Sequence, residues 1–316
     1  MRVSVVVNAD AGSVVDDPDR CRAGVVAAFG ALGVDPEVEL VGGDRIHDTV
    51  ARAAKGADVV AVAGGDGTLS TAAAALAGGD VALAVLPLGT FNHLARDLGI
   101  PDDLEGAARV VVEGANRRID LAEVGDRTFV NNSSIGLYPT MVDVRDRVRS
   151  ARGWGKVRAV PVAAWHVLRR FPVRRIAIEA EGFARRLRTP FVFVGNNRYE
   201  VGPRGLGERV DLDSGELCLY VCRATSRWRL LRVAVAAVVR GEARTPDLEH
   251  WCGTEVAVDA PGHRILVAVD GEVDAAPTPL RYRIRPGALL VRAPTGTEPP
   301  PPAQASEPAV SGVDGI

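Results

Sequence analysis

The stretch Val59-Val60-Ala61-Val62-Ala63-Gly64-Gly65-Asp66-Gly67-Thr68 constrains the fold more than any other part of the chain. Its first half is a short apolar run, β-branched at Val59, Val60 and Val62, as in a buried strand. It then meets three glycines, an aspartate and a threonine, which reads as a tight turn opening a helix. A turn without side chains lets the backbone come close to a ligand. Its N–H groups, joined to those of the helix start, suit an anion such as a phosphate. Asp66 sits awkwardly there, because a carboxylate repels phosphate. It makes sense if a metal ion lies between them, or if it binds a hydroxyl or positions a proton-transfer partner.

That strand belongs to a series. Strand-like segments at 3–7, 37–41, 59–63 and 82–86 alternate with helical segments at 17–32, 46–54, 69–76, 91–98 and 103–113. Repeated β-α units predict a parallel sheet covered by helices on both faces. Ligands in such sheets bind beyond the carboxyl ends of the strands. Three loops at such ends carry glycine or asparagine: 8–13, 64–68 and 88–92. After about residue 120 the texture changes to strands at 117–123, 129–132, 174–180, 191–194, 216–221, 255–259, 265–269 and 280–284, many of them set off by turns. That pattern predicts an antiparallel sheet or sandwich, interrupted by helices at 156–171 and 227–239. The expected organisation is an α/β domain over 1–122, completed by a returning segment near 283–292, and a β-rich domain over 123–282. The proline-rich tail over 293–316 reads as disordered.

Composition excludes some classes. With 47% apolar and 25% charged residues the chain can fill a sizeable core. A net charge of −2 gives no global reason for nucleic-acid binding. The cysteines Cys21, Cys218, Cys222 and Cys252 form no CxxC pair, and Cys218 and Cys222 would share one face of a strand. They read as core thiols rather than as a metal site or a disulfide. The chain opens on a strand without a signal peptide, and its longest helical apolar stretch, 230–239, holds Arg232 and is too short to span a bilayer. The expectation is a cytoplasmic protein.

A second glycine loop, Leu86-Pro87-Leu88-Gly89-Thr90-Phe91-Asn92-His93-Leu94-Ala95-Arg96, follows the first by about twenty residues. The pair resembles the diacylglycerol kinase catalytic domain, in the bacterial lipid kinase branch related to sphingosine and ceramide kinases and to NAD kinase. Asn8-Ala9-Asp10-Ala11-Gly12-Ser13 is similar to the family's first nucleotide loop. Phe129 to Leu137 resembles the entry to its second domain, and Val269-Asp270-Gly271-Glu272 its late Asp-Gly-Glu element. The resemblance spans roughly residues 3 to 292. It implies an NAD kinase/phosphofructokinase-like α/β domain, a mainly antiparallel β-sandwich, and transfer of a phosphoryl group from ATP to a lipid hydroxyl with Mg2+. Diacylglycerol is the acceptor by family analogy.

Phosphoryl transfer needs charge neutralisation and positioning more than covalent chemistry, and roles follow on that basis. Backbone groups of Gly64, Gly65, Gly67 and Gly89 cradle ATP phosphates, and Asn8 and Gly12 line the nucleotide site. Thr68 and Thr90 offer hydroxyls, and Asn92 orients a phosphate or closes its loop. Asp66 acts through Mg2+ or its water shell. Glu272 is the first choice of base for the lipid hydroxyl, with Asp270 close behind. Two departures stand out. Ser70-Thr71 replaces the family's usual Asn-Glu pair. Ser214 replaces the second aspartate of a structural Mg2+ loop, where the resemblance leaves the backbone carbonyls of Asp211 and Glu216 and the carboxylate of Asp213 to hold a hard cation; a solvated acidic turn is the rival reading.

Residues 145–188 carry thirteen basic side chains against Asp146, Glu179 and Glu181, with Trp154, Trp165 and Phe171 interleaved. Basic residues with interfacial aromatics suit an anionic membrane surface, and peripheral association with a membrane is the expectation. The rival is a solvated arginine-rich face with Trp165 in the core. No recognition motif accompanies the charge that would favour nucleic acid. A homodimer stays open. Two functional rivals also stay open: a kinase for another lipid or a soluble acceptor, and a nucleotide- or lipid-binding protein without catalysis.

Overall fold

In the computed structural model of the chain, residues 1–15, 17–89, 92–152, 165, 169, 171, 173–202, 205–240 and 247–296 are described. The first half runs β1 (Val3–Asn8), α1 (Gly12–Val15), α2 (Pro18–Gly30), β2 (Glu37–Val41), α3 (Ile46–Ala53), β3 (Val59–Gly64), α4 (Asp66–Leu76), β4 (Ala82–Pro87), α5 (His93–Asp97) and α6 (Leu104–Glu113). β2, β1, β3 and β4 lie side by side and parallel, with Val3 to Val7 against Val59 to Ala63 and Val59 to Gly64 against Ala82 to Pro87. Every residue of β3 and β4 is buried, as expected of central strands covered on both faces. Gly64, Gly65 and Pro87–Gly89 therefore emerge side by side at the carboxyl edge.

The second half continues with β5 (Ala115–Val124), β6 (Arg127–Phe129), β7 (Asn132–Gly136), α7 (Leu137–Arg152), β8 (Arg174–Ala180), β9 (Phe183–Thr189), β10 (Phe191–Asn196), β11 (Tyr199–Gly202) and β12 (Gly205–Arg209). It ends with β13 (Leu217–Cys222), α8 (Arg227–Arg240), β14 (Leu248–Gly253), β15 (Glu255–Asp259), β16 (Arg264–Val269), β17 (Glu272–Pro277) and β18 (Leu280–Ala293). One sheet, in the order β14-β13-β10-β7-β16-β17, is antiparallel throughout. It packs on β18, β15 and β8. Val192, Val194, Leu217, Leu219, Val221, Ile265 and Val267 from one side share a core with Ile176, Ile178, Val256, Val258, Leu280 and Tyr282 from the other. Alternate residues from two facing sheets make a sandwich. The expected α/β domain with a parallel sheet and the antiparallel sandwich are both present.

β18 joins the two halves. It pairs with β15 near its start, with β5 along most of its length, and with β4 in parallel at Val291. The register breaks between Arg285 and Leu289, where the N–H of Gly287 turns to the buried Asp120 carboxylate at 2.7 Å.

Several local expectations change. The single strand expected over 129–132 is two strands with a break at Val130-Asn131. The N–H groups there bond to a side chain instead of a neighbouring strand, as described below. The helix expected over 156–171 falls mostly outside the described residues; Trp165, the member expected in the core by the rival reading, is 68% exposed. The helix seen is α7, which starts where Gly136 takes a φ of 101°. β9 read only as a run of arginines. It is an edge strand whose Arg185, Arg186 and Arg188 are exposed, and charge there discourages further strand pairing.

The cysteine reading also needs correction. Cys218 and Cys222 do share one face of β13, but Cys218 is bonded to Cys252, its register partner on β14. The pairing depends on strand register across 34 residues, which no spacing rule reveals. Cys222 is a buried free thiol and Cys21 a half-buried one.

Candidate active site

The two glycine loops touch backbone to backbone. A Cβ on Gly89 would stand 2.6 Å from the Cα of Gly65 and 2.7 Å from Asn92 Oδ1, and one on Gly64 would stand 2.7 Å from the Thr68 side chain. Only glycine permits this approach. α4 begins at Asp66 behind Gly65, which offers no side-chain cap. The N–H groups of its first turn therefore lack intrahelical acceptors, a setting that favours an anion. Asn8 at the end of β1 joins this edge: its Nδ2 donates to Thr68 Oγ1 at 2.7 Å, and its Oδ1 accepts from the Asp10 N–H at 2.9 Å. Gly12 opens α1 two residues further on.

Asp66 and Asn92 each hold the second loop. Asp66 Oδ1 accepts from the His93 N–H at 2.9 Å, at the start of α5. Its other oxygen makes no hydrogen bond among the described residues. Asn92 lies in the left-handed region with φ 48°, its Oδ1 accepting from the Gly89 N–H at 3.0 Å. Of its two expected roles, closing the loop is the one seen. The same bond occupies the Gly89 N–H, so the contribution of Gly89 is the room it leaves. Thr90 lies outside the described residues.

Glu272 reaches this edge from the other half of the molecule. A Cβ on Gly67 would stand 2.9 Å from Glu272 Oε1. A cavity of about 220 Å³ opens between them, lined by Gly67, Ser70, Thr71, Asp126, Arg127, Thr128, Asp270 and Glu272 among others. Arg127 Nη2 lies 3.5 Å from Glu272 Oε2. Its Nη1 is buried with no hydrogen-bond partner among the described residues. Thr71, in the place of the family's glutamate, donates back to the Gly67 carbonyl at 3.0 Å.

Asp270 is placed differently from its neighbour. Its Oδ2 accepts from the Val130 N–H at 2.8 Å, and its Oδ1 from Asn131 and Asn132 at 2.9 and 3.0 Å. Burial pushes its carboxyl above the usual aspartate range, against the pull of these bonds and of the Ser70 hydroxyl. Asp270 fastens the Val130–Asn132 turn to the loop carrying Glu272, and it takes φ 46° itself.

Arg209 extends that tie to the first half. Its side chain is 1% exposed and pairs with Asp97 of α5, with Nε and Nη2 each 2.6 Å from Oδ2. It also donates to the Val130 carbonyl at 2.6 Å and to Asn131 Oδ1 at 3.2 Å. The second glycine loop, α5, Arg209, the Val130 turn, Asp270 and Glu272 thus form one bonded series. Sequence reasoning missed Asp97, Arg127 and Arg209, because their partners lie 112, 145 and 112 positions away respectively.

The candidate metal residues lie elsewhere, near β13. Asp211 accepts from the hydroxyl and N–H of Ser214, and burial pushes its carboxyl up. Its Oδ1 is buried without a partner among the described residues. Asp213 pairs with Arg117 at 3.1 Å. Glu216 directs its carboxylate toward Cys218 and Cys252, and its carbonyl accepts from the Asn197 N–H at 2.9 Å. Of the expected ligands, the Asp213 carboxylate is thus in an ion pair and the Glu216 carbonyl already accepts a hydrogen bond.

A profile of the diacylglycerol kinase catalytic domain matches residues 2–124, and one of the YegS C-terminal NAD kinase beta sandwich-like domain matches residues 141–293. A diacylglycerol kinase of Mycobacterium tuberculosis (strain H37Rv) is 32% identical over 288 residues, covering 86% of this chain and 91% of its own. The chain belongs to the diacylglycerol kinase family. A probable lipid kinase, YegS-like, from Cronobacter sakazakii is 30% identical over 67% of this chain and 69% of its own. The fold of this family member also matches a crystal structure of a putative diacylglycerol kinase from Bacillus anthracis, at TM-score 0.73 and 21% identity over 93% of this chain and 98% of that one.

The contact of those loops gives a direct expectation. If this turn holds ATP phosphates, Gly89→Ala should lower ATP affinity at least tenfold, because the new methyl must push Gly65 away. Titration calorimetry with a non-hydrolysable ATP analogue checks this; unchanged affinity would mean that the loop contact does not shape the nucleotide site.

Proposed function

We propose that this protein transfers the γ-phosphoryl group of ATP to a lipid hydroxyl, with diacylglycerol as acceptor and phosphatidic acid as product. The observation that carries this reading is Glu272 lying against Gly67 across the cleft. A carboxylate from the sandwich half meets the phosphate-binding turn of the α/β half, where an acceptor hydroxyl and a phosphate must meet. Glu272 is 68% exposed and free to approach a substrate, so it takes the acceptor's proton as attack begins. Asp270, with both oxygens on backbone N–H groups, holds Glu272 in place rather than acting as a second base. Arg127 lines the same cavity and is assigned as a donor for an anionic oxygen.

ATP fits the glycine edge through the open first turn of α4, with Asn8 and Thr68 beside it. Mg2+ bound with ATP neutralises charge on the phosphates. The open oxygen of Asp66 is the group to hold that ion through its water shell. A second hard cation suits Asp211, whose Oδ1 is buried and unpartnered. Asp213, paired with Arg117, contributes less than its sequence position implied.

Asp211 sets a pH dependence. Its folded pKa is raised, so in the metal-free protein its contribution to stability is present below the ordinary aspartate range. It is lost as the pH rises through the folded value. A bound cation favours the ionised form and reverses this. Millimolar Mg2+ should therefore raise the melting temperature more at about pH 7 than at about pH 5, and Asp211→Asn should abolish the difference. An Mg2+ effect independent of pH, or intact in the variant, would remove Asp211 as a ligand.

Access to lipid is assigned in part to the basic segment 145–188. Its described arginines on β8 and β9 include Arg175, Arg186 and Arg188, which line an open groove with Ile176 and Leu187. Presenting labelled ATP and Mg2+ with diacylglycerol, ceramide, sphingosine and NAD tests the acceptor. Label in phosphatidic acid is expected. Label only in NADP, or in another lipid, would replace the acceptor named here.

A further inference from the structure

Helix α8 is apolar on two opposite sides. Its inner side sets Leu230 and Val233 against Cys222, Ala224 and Phe191. Its outer side exposes Trp228, Leu231 and Val235, which are 67%, 55% and 56% accessible. The spacing i, i+3, i+7 places these three in one stripe along the helix. Isolated surface apolar residues need no explanation, but an aligned stripe on one face implies something that covers it.

The flanks identify what. α8 carries four arginines and no acidic residue. Arg229 is tied to Asp247 at 2.7 Å, and Arg223 just before the helix is tied to Glu249 at 2.7 Å. Arg227 and Arg232 border the outer stripe, and both are exposed. No acid among the described residues pairs with either. The Arg227 guanidinium lies 5.8 Å from the centre of the Trp228 ring, which orders the indole by a cation–π contact. An indole, two aliphatic side chains and two bordering arginines match the acyl boundary and the phosphates of an anionic bilayer. A second copy docked by the same face would bring Arg227 and Arg232 of both copies together, and like charges oppose that.

We propose that α8 lies in the headgroup plane of an anionic membrane, with Trp228, Leu231 and Val235 inserted and Arg227 and Arg232 on lipid phosphates. The site is separate from the basic segment 145–188. The inference rests on the lipid-kinase reading for its biological sense and on the helix alone for its test. The placement is functionally economical. α8 packs on β11, whose Tyr199 hydroxyl donates to the Asn131 carbonyl at 3.0 Å. Asn131 in turn is held by Asp270.

The test is flotation of the full chain with vesicles of pure phosphatidylcholine and of phosphatidylcholine containing phosphatidylglycerol. Binding to the anionic vesicles alone, weakened several-fold at about 0.5 M salt, is expected. Leu231→Asp with Val235→Asp should weaken it at least tenfold. Arg227→Gln with Arg232→Gln should weaken it roughly thirtyfold, at about fivefold per charge. Both variants alter exposed side chains and should keep the wild-type melting temperature and the wild-type rate on a short-chain diacylglycerol dispersed in detergent. Failure of the wild type on that substrate would sink the lipid-kinase reading and leave the docking result standing. Equal flotation of wild type and both variants would overturn the docking helix. So would a dimer in light scattering that the Asp variant dissociates while vesicle binding persists.

Discussion

Replacing Glu272 by glutamine should lower turnover by about 10²–10⁴-fold, the usual contribution of a positioned general base. ATP affinity should stay within about twofold of wild type, because the turn proposed to hold phosphate is built by Gly64, Gly65 and the start of α4 rather than by Glu272. The substitution keeps the volume and a hydrogen-bonding group beside Gly67, and it removes the charge that Arg127 faces at 3.5 Å. Glu272 is largely exposed, so the melting temperature should change little. Steady-state kinetics with a soluble diacylglycerol, together with calorimetric ATP binding, separate the effects. A fall in ATP affinity matching the fall in turnover would place Glu272 in the nucleotide site rather than in proton transfer. Asp270→Asn should also lower turnover, but with a lower melting temperature, because it weakens the bonds from Val130, Asn131 and Asn132.

Asp97→Ala should destabilise the protein by about 3–5 kcal/mol. The cause is the arginine left behind. Arg209 is enclosed, with a side chain 1% exposed, and Asp97 is the carboxylate that compensates it at 2.6 Å. Removing one member of such a pair strands a buried charge, whereas replacing both by apolar residues removes the cost at its source. At about 1.5 °C for each kcal/mol in a chain of 316 residues, the melting temperature should fall by roughly 5–8 °C. The double change Asp97→Leu with Arg209→Met should recover most of that loss. It should not recover activity, because Arg209 also bonds the Val130 carbonyl and Asn131 Oδ1. A single variant that melts like wild type would show that Arg209 reaches solvent or another anion.

What the sequence revealed and what it hid follow from distance along the chain. The glycine loops were legible because each is a local event, a strand ending in residues that tolerate a tight turn. Their adjacency followed from β-α repetition, since successive parallel strands end on one side. The late Asp-Gly-Glu element was legible only through resemblance, and the different roles of its two carboxylates were not. Asp270 and Glu272 are separated by one residue and line the same cavity, yet one is buried with both oxygens on three N–H groups and the other is largely exposed. That distinction depends on Val130 to Asn132, some 140 positions earlier. The same three N–H groups explain why a continuous strand could not form there. The Cys218–Cys252 bond and the Asp97–Arg209 pair are likewise products of register and domain packing. α8 illustrates another limit. Its sequence marks an apolar helical stretch interrupted by Arg232, and only the packing of Leu230 and Val233 shows which side remains uncovered.

The most direct measurement of the central claim is transfer of label from γ-labelled ATP, in the presence of Mg2+, into lipid extracted after incubation with the full chain and diacylglycerol. Wild type should produce labelled phosphatidic acid, and the Glu272→Gln variant should produce almost none while still binding ATP. Absence of labelled lipid from a folded, ATP-binding wild type, or equal labelling by the variant, would contradict the account of this cleft.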